Sequence, residues 1–524
     1  MNILASINES TVLAPAIILI VAFILLTIVI IAAAIYLISR YHTYINNDTL
    51  VLGRNEKEGK KLKTWQGFLI VLGIGLLIRL LLTFFVKGFY ASFENEYSIV
   101  DHLVRNGFAG LYSNSSNDLT NSSPLLMYIY FITAGLGKSM GVELNDVSMS
   151  FFVKLPYLIA DVIIAVGIYR IASKHLNRYM GLILSGFFLL CPVFFVASSM
   201  WGTPYAIYAA LLFFAFYYLL KRNIPLMTAF VTLSLLLIPE SLYILPLFLA
   251  YMIYLFVKAI IQIVKSKPTF DGAMGDSVMK SVVDIPVCII ISVCAIYLIA
   301  LPAYFADFGP SFFEVYGQLF IKPIESINYY SANSLNIFVV FGQNYHGLGN
   351  EFPKLIFALL FIALIVVVVL VVFLSNKNRA NLVLLGSYLL ITLSTYYIGM
   401  TEWTILAALL LMILAFIVIK DKRILKVFSV FAVISLLNVL LVMLYSNNIS
   451  MTVDKISESG LTFTNAPAGF VFSIILSVFA VITHIYYTVI MLDISMAKRR
   501  IMFTEDNLGL SFSESMGAWL KNRR

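Results

Sequence analysis

Charged side chains make up only 12% of this 524-residue chain, so those inside apolar runs stand out. Arg79, Lys154, Asp161, Glu240 and Glu402 lie in such runs or at their ends. A charge in hydrocarbon costs about 2.5–3.5 kcal/mol on insertion scales, so each needs a reason to be there. Arg79, in LLIRLLLTFFVKGFY, is followed by a polar stretch carrying Glu94, Glu96, Asp101 and His102. A guanidinium near the headgroups suits a phosphate, because its planar fork matches phosphate oxygens. The plainer alternative is an arginine that snorkels toward water or pairs with Asp161. A carboxylate near the membrane surface, Glu94 or Glu96, could take a proton from an acceptor hydroxyl as general base. Residues two apart point to opposite sides of an extended chain, so at most one would face a site, and both could simply be solvated.

Other residues add weaker signals. Glu240 follows Pro239 at a turn, and Glu402 begins an apolar run, where the helix dipole alone favours a carboxylate. Trp201-Gly202 tops another run; tryptophan there is commonly an interfacial anchor. The segment IESINYYSANSLNIFVVFGQNYHG, which includes Asn333, offers stacking faces beside amides, a combination that suits a sugar or a loop packed over a bundle. Asp101 and His102 sit on a predicted helix, SIVDHLVRNG, where a lone histidine is usually structural. One histidine with scattered carboxylates makes no zinc site. Cys191, Cys288 and Cys294 all lie in apolar runs and read as small hydrophobes. Asn114 and Asn121 open Asn-Ser-Ser triplets, a pattern that arises by chance.

The elements that must position these residues are helices. At 61% hydrophobic, the composition lies outside the range of soluble domains, and repeated apolar runs of roughly 18 or more residues mean helices crossing lipid. The alternating ten-residue segments of a membrane barrel are absent. The expected fold is an all-α polytopic bundle with about thirteen spans. These are 11–39, 66–86, 154–172, 180–198, 203–220, 224–238, 241–257, 284–304, 354–374, 381–398, 402–419, 424–445 and 470–492. Pro124–Gly141 is too short for a crossing and reads as an interfacial or re-entrant helix. The formal net charge of +8 comes from Lys and Arg in short loops, so it reports topology rather than nucleic-acid binding. It places the N-terminus outside and the C-terminus in the cytoplasm. The expected organisation is an extra helix and basic loop at 1–65, a first module at 66–302 with an outer loop at 88–153, a second module at 303–492 with an outer loop at 305–353, and a basic tail at 493–524. On this topology the five stray charges gather in the outer half of the membrane.

The order of these outer-face elements resembles the GT-C superfamily of membrane glycosyltransferases, in particular the bacterial relatives of the transferase that adds the second mannose of the GPI anchor. The likeness runs from about Leu76 to Leu411. That branch's Leu-Arg-Leu helix is matched by Ile78-Arg79-Leu80. Its Tyr-Pro-Pro-Leu-x-x-Tyr helix is partly met by Ser123-Pro124-Leu125 and Tyr128. Its Lys-Leu-Pro…Ala-Asp helix is met by Lys154, Leu155, Pro156, Ala160 and Asp161. A Trp-Gly-Gln-x-Asp turn is met at Trp201 and Gly202, with Thr203 and Tyr205 in place of the polar partners. A Lys-Pro-Gln turn corresponds to Ile238-Pro239-Glu240, and an Ala-x-Asn loop resembles Ala332-Asn333, with Asn336 nearby. The Met-His-Glu-Arg-Tyr element keeps Met400 and Glu402, with Thr401, Trp403 and Thr404 departing. No Asp opens the first outer loop; Ser92 stands near that point, with Glu94 and Glu96 just after.

The resemblance implies a hexosyltransferase that carries a sugar, such as mannose, from a polyprenyl-phosphate donor to a glycan or lipid-linked acceptor on the extracytoplasmic face of the cell membrane. Glu94 or Glu96 would be the base. Arg79, Lys154, Asp161, Trp201, Glu240, Asn333 and Glu402 would form the substrate and phosphate site. The chemistry is compatible with a divalent metal, but no ligand set for one stands out. The replaced motif residues leave open a catalytically degenerate relative that acts as partner or scaffold in a cell-envelope glycan pathway. A transporter or flippase would instead need polar residues near mid-membrane and inverted repeats; here the polar residues lean outward and no repeat is apparent.

Overall fold

The computed structural model describes residues 9–41, 49–52, 60–85, 90–109, 123–142, 147–265, 276–306, 329–344, 346–348, 351–448 and 467–501. Apart from a short antiparallel hairpin, Thr49–Leu52 with Lys60–Lys63, the regular elements are helical. In chain order they are α1 (Glu9–Tyr41), α2 (Thr64–Phe85), α3 (Tyr90–Asn106), α4 (Pro124–Ser139), α5 (Val147–His175), α6 (Arg178–Leu190) and α7 (Pro192–Phe195). A π-turn (Val196–Trp201) continues α7. Then come α8 (Tyr205–Lys221), α9 (Ile224–Leu237), a 3₁₀ turn (Pro239–Tyr243), α10 (Leu245–Lys265) and α11 (Asp276–Ala306). A short α12 (Ile337–Val340) leads to α13 (Glu351–Ser375), α14 (Arg379–Tyr396), α15 (Leu406–Ile419), α16 (Lys422–Asn448) and α17 (Pro467–Ser495).

The helices fall where the apolar runs predict them. Among the described residues, seven are long and apolar enough to cross a membrane, or eight if the bent pair 178–201 is one span, consistent with a multi-pass membrane protein. Several apolar helices are shorter. Helices α9 and α15 have 14 residues each, about 21 Å at 1.5 Å per residue, against a hydrocarbon core of about 30 Å. Helix α15 has no need to meet lipid: all but one of its residues are buried, among α14, α16, α8 and α5. The long helices instead expose Leu, Ile, Val and Phe outward, for example Leu77, Ile253, Ile290, Leu360 and Ile482. That is the surface lipid tails solvate.

The connections show why each helix stops. Asn177, Asn223 and Asn378 cap the helices that follow, each side-chain oxygen accepting a backbone N–H, which satisfies a donor the first turn leaves over. Arg222 and Lys420 end α8 and α15 in the left-handed conformation. Pro192 breaks 178–201, and the axis bends by 50° there.

Contacts sort the connections into two ends. At one, Arg379 donates to the Leu220 carbonyl and Lys377 lies over the Tyr254 ring. Arg423 there binds both Asp421 and Asp493. This end collects the basic loops. At the other end the π-turn, the 3₁₀ turn, the 329–348 segment and the 397–405 turn meet.

Candidate functional site

The second end is built on a break in regular helix. After Pro192 the chain makes one α-turn and then a π-turn, which closes on Gly202 at φ +79°. A side chain at Gly202 would press on Lys154, whose Cγ stands 3.0 Å from an added Cβ. Glycine is therefore required for Lys154 to lie across the turn. Its ammonium donates to the carbonyls of Met200 (3.0 Å) and Ser199 (3.2 Å), which regular helix would have kept for itself. π-turns recur at functional sites.

Asp161, two turns along α5 from Lys154, grips the same turn. Its Oδ2 accepts from Ser198 Oγ and from Arg79 Nε, each at 2.6 Å. Arg79 is fully buried and also donates through Nη1 to the carbonyls of Leu189 (2.6 Å) and Gly75 (3.2 Å). Of the two roles the sequence allowed it, the structure displays the pairing with Asp161. The guanidinium lies inside the protein, its Nε on Asp161 and its Nη2 without a hydrogen-bond partner among the described residues. A lone arginine would pay the full desolvation cost, which the nearby Asp161 and carbonyls offset.

From the π-turn the network crosses to the second half of the chain. The Trp201 ring meets Trp403 edge-on at 5.1 Å. Tyr205, at the start of α8, donates its hydroxyl to Glu240 Oε1 at 2.9 Å and also bonds the side chains of Thr401 and Thr404. The 331–336 segment lies along the same turn: Ala332 N–H donates to the Met400 carbonyl at 3.0 Å. Asn333 adopts φ +61°, a conformation asparagine tolerates better than most residues. Asn344 holds it there, accepting from its N–H and donating to its side chain, each at 3.0 Å. Asn438 Nδ2 donates to the Asn333 carbonyl at 2.7 Å.

Glu402 sits in the middle of this turn and lines a small cavity with Ser334, Ser394, Thr395, Ser435 and Asn438. Apart from its own backbone N–H, the carboxylate meets no donor among the described residues. Burial pushes its carboxyl up to about 7, and burial also raises Glu240 above the usual carboxylate range. A carboxyl that titrates near 7, as at Glu402, is suited to proton transfer. Among the described residues no three His, Cys, Asp or Glu side chains converge to hold a metal ion.

Arg79, Lys154 and Asp161 thus gather at the π-turn that carries Trp201, and Trp201, Glu240 and Asn333 lie around the turn that carries Glu402. Glu94 and Glu96 fall in α3, not in an extended chain, and their side chains lie outside the described residues, as do Ser92, Asn114 and Asn121. Asp101 pairs with Arg105 one turn on, and His102 bonds the Ala109 carbonyl at 3.0 Å; both are local ties of α3. Sequence reasoning missed Ser198, Asn344 and Asn438 as parts of the network and read Tyr205 only as a departure from a motif. A signal existed for Asn438: it is a lone amide in the apolar run ISLLNVLLVML.

Compared with models of known protein families, the chain matches none, and it matches no curated protein.

Proposed function

We propose that the chain is a membrane glycosyltransferase, moving a hexose such as mannose from a polyprenyl-phosphate donor to a glycan or lipid-linked acceptor on the extracytoplasmic face. One observation carries the reading: the seven residues nominated for the substrate site, spread from Arg79 to Glu402, converge at one end of the bundle, at a π-turn and beside a carboxylate titrating near 7. Unrelated anchoring residues have no reason to meet.

In this reading an acceptor hydroxyl attacks the anomeric carbon in line with the departing lipid phosphate, and Glu94 or Glu96 takes the hydroxyl proton. The phosphate leaves without a general acid, since its second ionisation lies near 6. In this reading Arg79, Asp161 and Lys154 shape the wall of the site by holding the π-turn, and Trp201, Glu240 and Asn333 stand nearest the substrate, with Glu402 behind them. Glu240 accepts a hydroxyl hydrogen of a sugar, and the Trp201–Trp403 pair supplies an apolar wall.

A specific observation favours a second reading, a non-catalytic relative that serves as partner to another membrane enzyme. Both buried cations suited to a leaving phosphate are engaged inside the protein. The experiment that decides is transfer of radiolabelled sugar from polyprenyl-phosphate mannose and polyprenyl-phosphate glucose in proteoliposomes, comparing wild type with Glu94→Gln, Glu96→Gln and Glu402→Gln. Transfer abolished by one loop substitution and weakened at Glu402 supports the enzyme. Lipid binding with no transfer from any donor supports the partner, and movement across the bilayer without a new glycosidic bond supports a transporter.

A further inference from the structure

The cavity at Glu402 has a composition that a sugar site does not need. Its volume is about 20 Å³, enough for one water-sized particle and far too small for a hexose. Its polar lining is Glu402, Ser334, Ser394, Thr395, Ser435 and Asn438, which offers many oxygens and one negative charge. Asn438 gives one Nδ2 hydrogen to the Asn333 carbonyl, and its Oδ1 remains available as an acceptor. Ser435 Oγ makes no hydrogen bond to a described residue. Ser394 and Thr395 belong to the last turn of α14, where the helix dipole carries partial negative charge and favours a cation.

We propose that this cavity binds a small monovalent cation of the sodium class, ligated by Glu402 with the oxygens of Asn438, Ser435 and the serines at 334 and 394. The charge balance selects the ion. One carboxylate neutralises one positive charge, whereas a divalent ion would leave a net charge in a buried site, which is costly. The all-oxygen lining suits a hard cation, and the absence of His or Cys from it disfavours a transition metal. An anion is excluded by the carboxylate. The bound ion would tie the 331–336 segment, the 397–405 turn and α16 together. This proposal does not depend on the transferase reading.

A proton is the competing occupant. No other titratable side chain lines the cavity from 334–335, 394–395, 405, 431–438 or 480. On the packed elements, Tyr205 bonds Thr401 and Thr404, and His484, one turn beyond Ala480, is hydrogen-bonded to Thr392. The cation therefore competes with a single protonation, that of Glu402.

The test is the melting temperature of the purified protein in detergent, titrated with NaCl against choline chloride at constant ionic strength, with a KCl arm. Sodium is expected to raise the melting temperature of wild type saturably, and the gain is expected to vanish in Glu402→Gln. Its apparent affinity is expected to weaken as pH falls, because a proton competes with the ion for the same carboxylate. Should Glu402→Gln fail to fold, Ser435→Ala and Asn438→Ala serve instead, each expected to weaken sodium several-fold. Equal melting temperatures in sodium and choline, or a sodium gain retained in Glu402→Gln, overturn the proposal.

Discussion

Carboxylates at the two ends of this bundle are treated in opposite ways. At the basic end, Arg423 holds Asp421 at 2.8 Å and Asp493 at 2.5 Å, and the Asp421 side chain also accepts the Ile501 N–H at 2.9 Å. That clasp ties α16 to α17 and to the stretch after it. At the other end, Glu240 has a tyrosine hydroxyl and Glu402 only its own N–H; no cation pairs with either among the described residues. The Arg79–Asp161 pair lies between these extremes, joined at 2.6 Å beside the π-turn, with Arg79 Nη2 buried and without a hydrogen-bond partner among the described residues. Where a carboxylate has its guanidinium, the pair serves architecture. A carboxylate kept half-buried without a cation raises the energy of the empty protein, a pattern typical of sites that bind or transfer protons.

Substitutions can break this contrast. The largest effect is expected from Arg79→Ala, which strands Asp161 in the interior. Breaking a buried pair costs about 3–5 kcal/mol, so thermal unfolding should show a collapse in folded yield, whereas Arg79→Met with Asp161→Leu should recover much of it. Arg423→Ala should cost less, about 2–3 kcal/mol, because Asp493 is partly exposed and Asp421 keeps the Ile501 N–H. It should also free the chain after α17, read as faster hydrogen exchange at residues 496–501. Tyr205→Phe removes one hydrogen bond from Glu240 and should cost about 1–2 kcal/mol in the same unfolding assay. The most diagnostic change is at Glu402. Its folded pKa lies above the unfolded value, so its protonated form is the one the fold favours. The stability this contributes is fully present below about 4.5 and is lost as pH rises through about 7. In sodium-free buffer, wild type should therefore weaken between pH 5 and 8, and Glu402→Gln should flatten that limb of the melting curve.

Much of this arrangement was legible in the residues. Apolar runs located the helices because side-chain hydrophobicity is local information. The Lys/Arg loops marked one end because short basic loops share a side of the membrane. Arg79 and Asp161 were conspicuous as charges in hydrocarbon. What one chain of letters does not display is how a helix breaks. The π-turn at 196–201 arises from Pro192, Gly202 and three partners far away in sequence, Arg79, Asp161 and Lys154, so it emerges only once α2 and α5 pack beside it. Asn333 is similar: its left-handed backbone is held by Asn344 and Asn438, neither of which stands near it in a recognisable motif. Which apolar runs cross the membrane is hard to read from the residues for a physical reason as well. An apolar run of 14 residues reads the same whether lipid or protein surrounds it, and α15 is surrounded by protein.

The central claim is that the end carrying Glu240 and Glu402 is the chemical end and the Arg423 end is structural. The direct measurement is sugar transfer from a polyprenyl-phosphate donor in proteoliposomes, normalised to folded protein, for Glu402→Gln, Glu240→Gln and Arg423→Ala. The account predicts losses of tenfold or more for the two glutamate variants and activity within about twofold of wild type for Arg423→Ala once folding is corrected. Equal losses at both ends, or full activity in the glutamate variants, would contradict it.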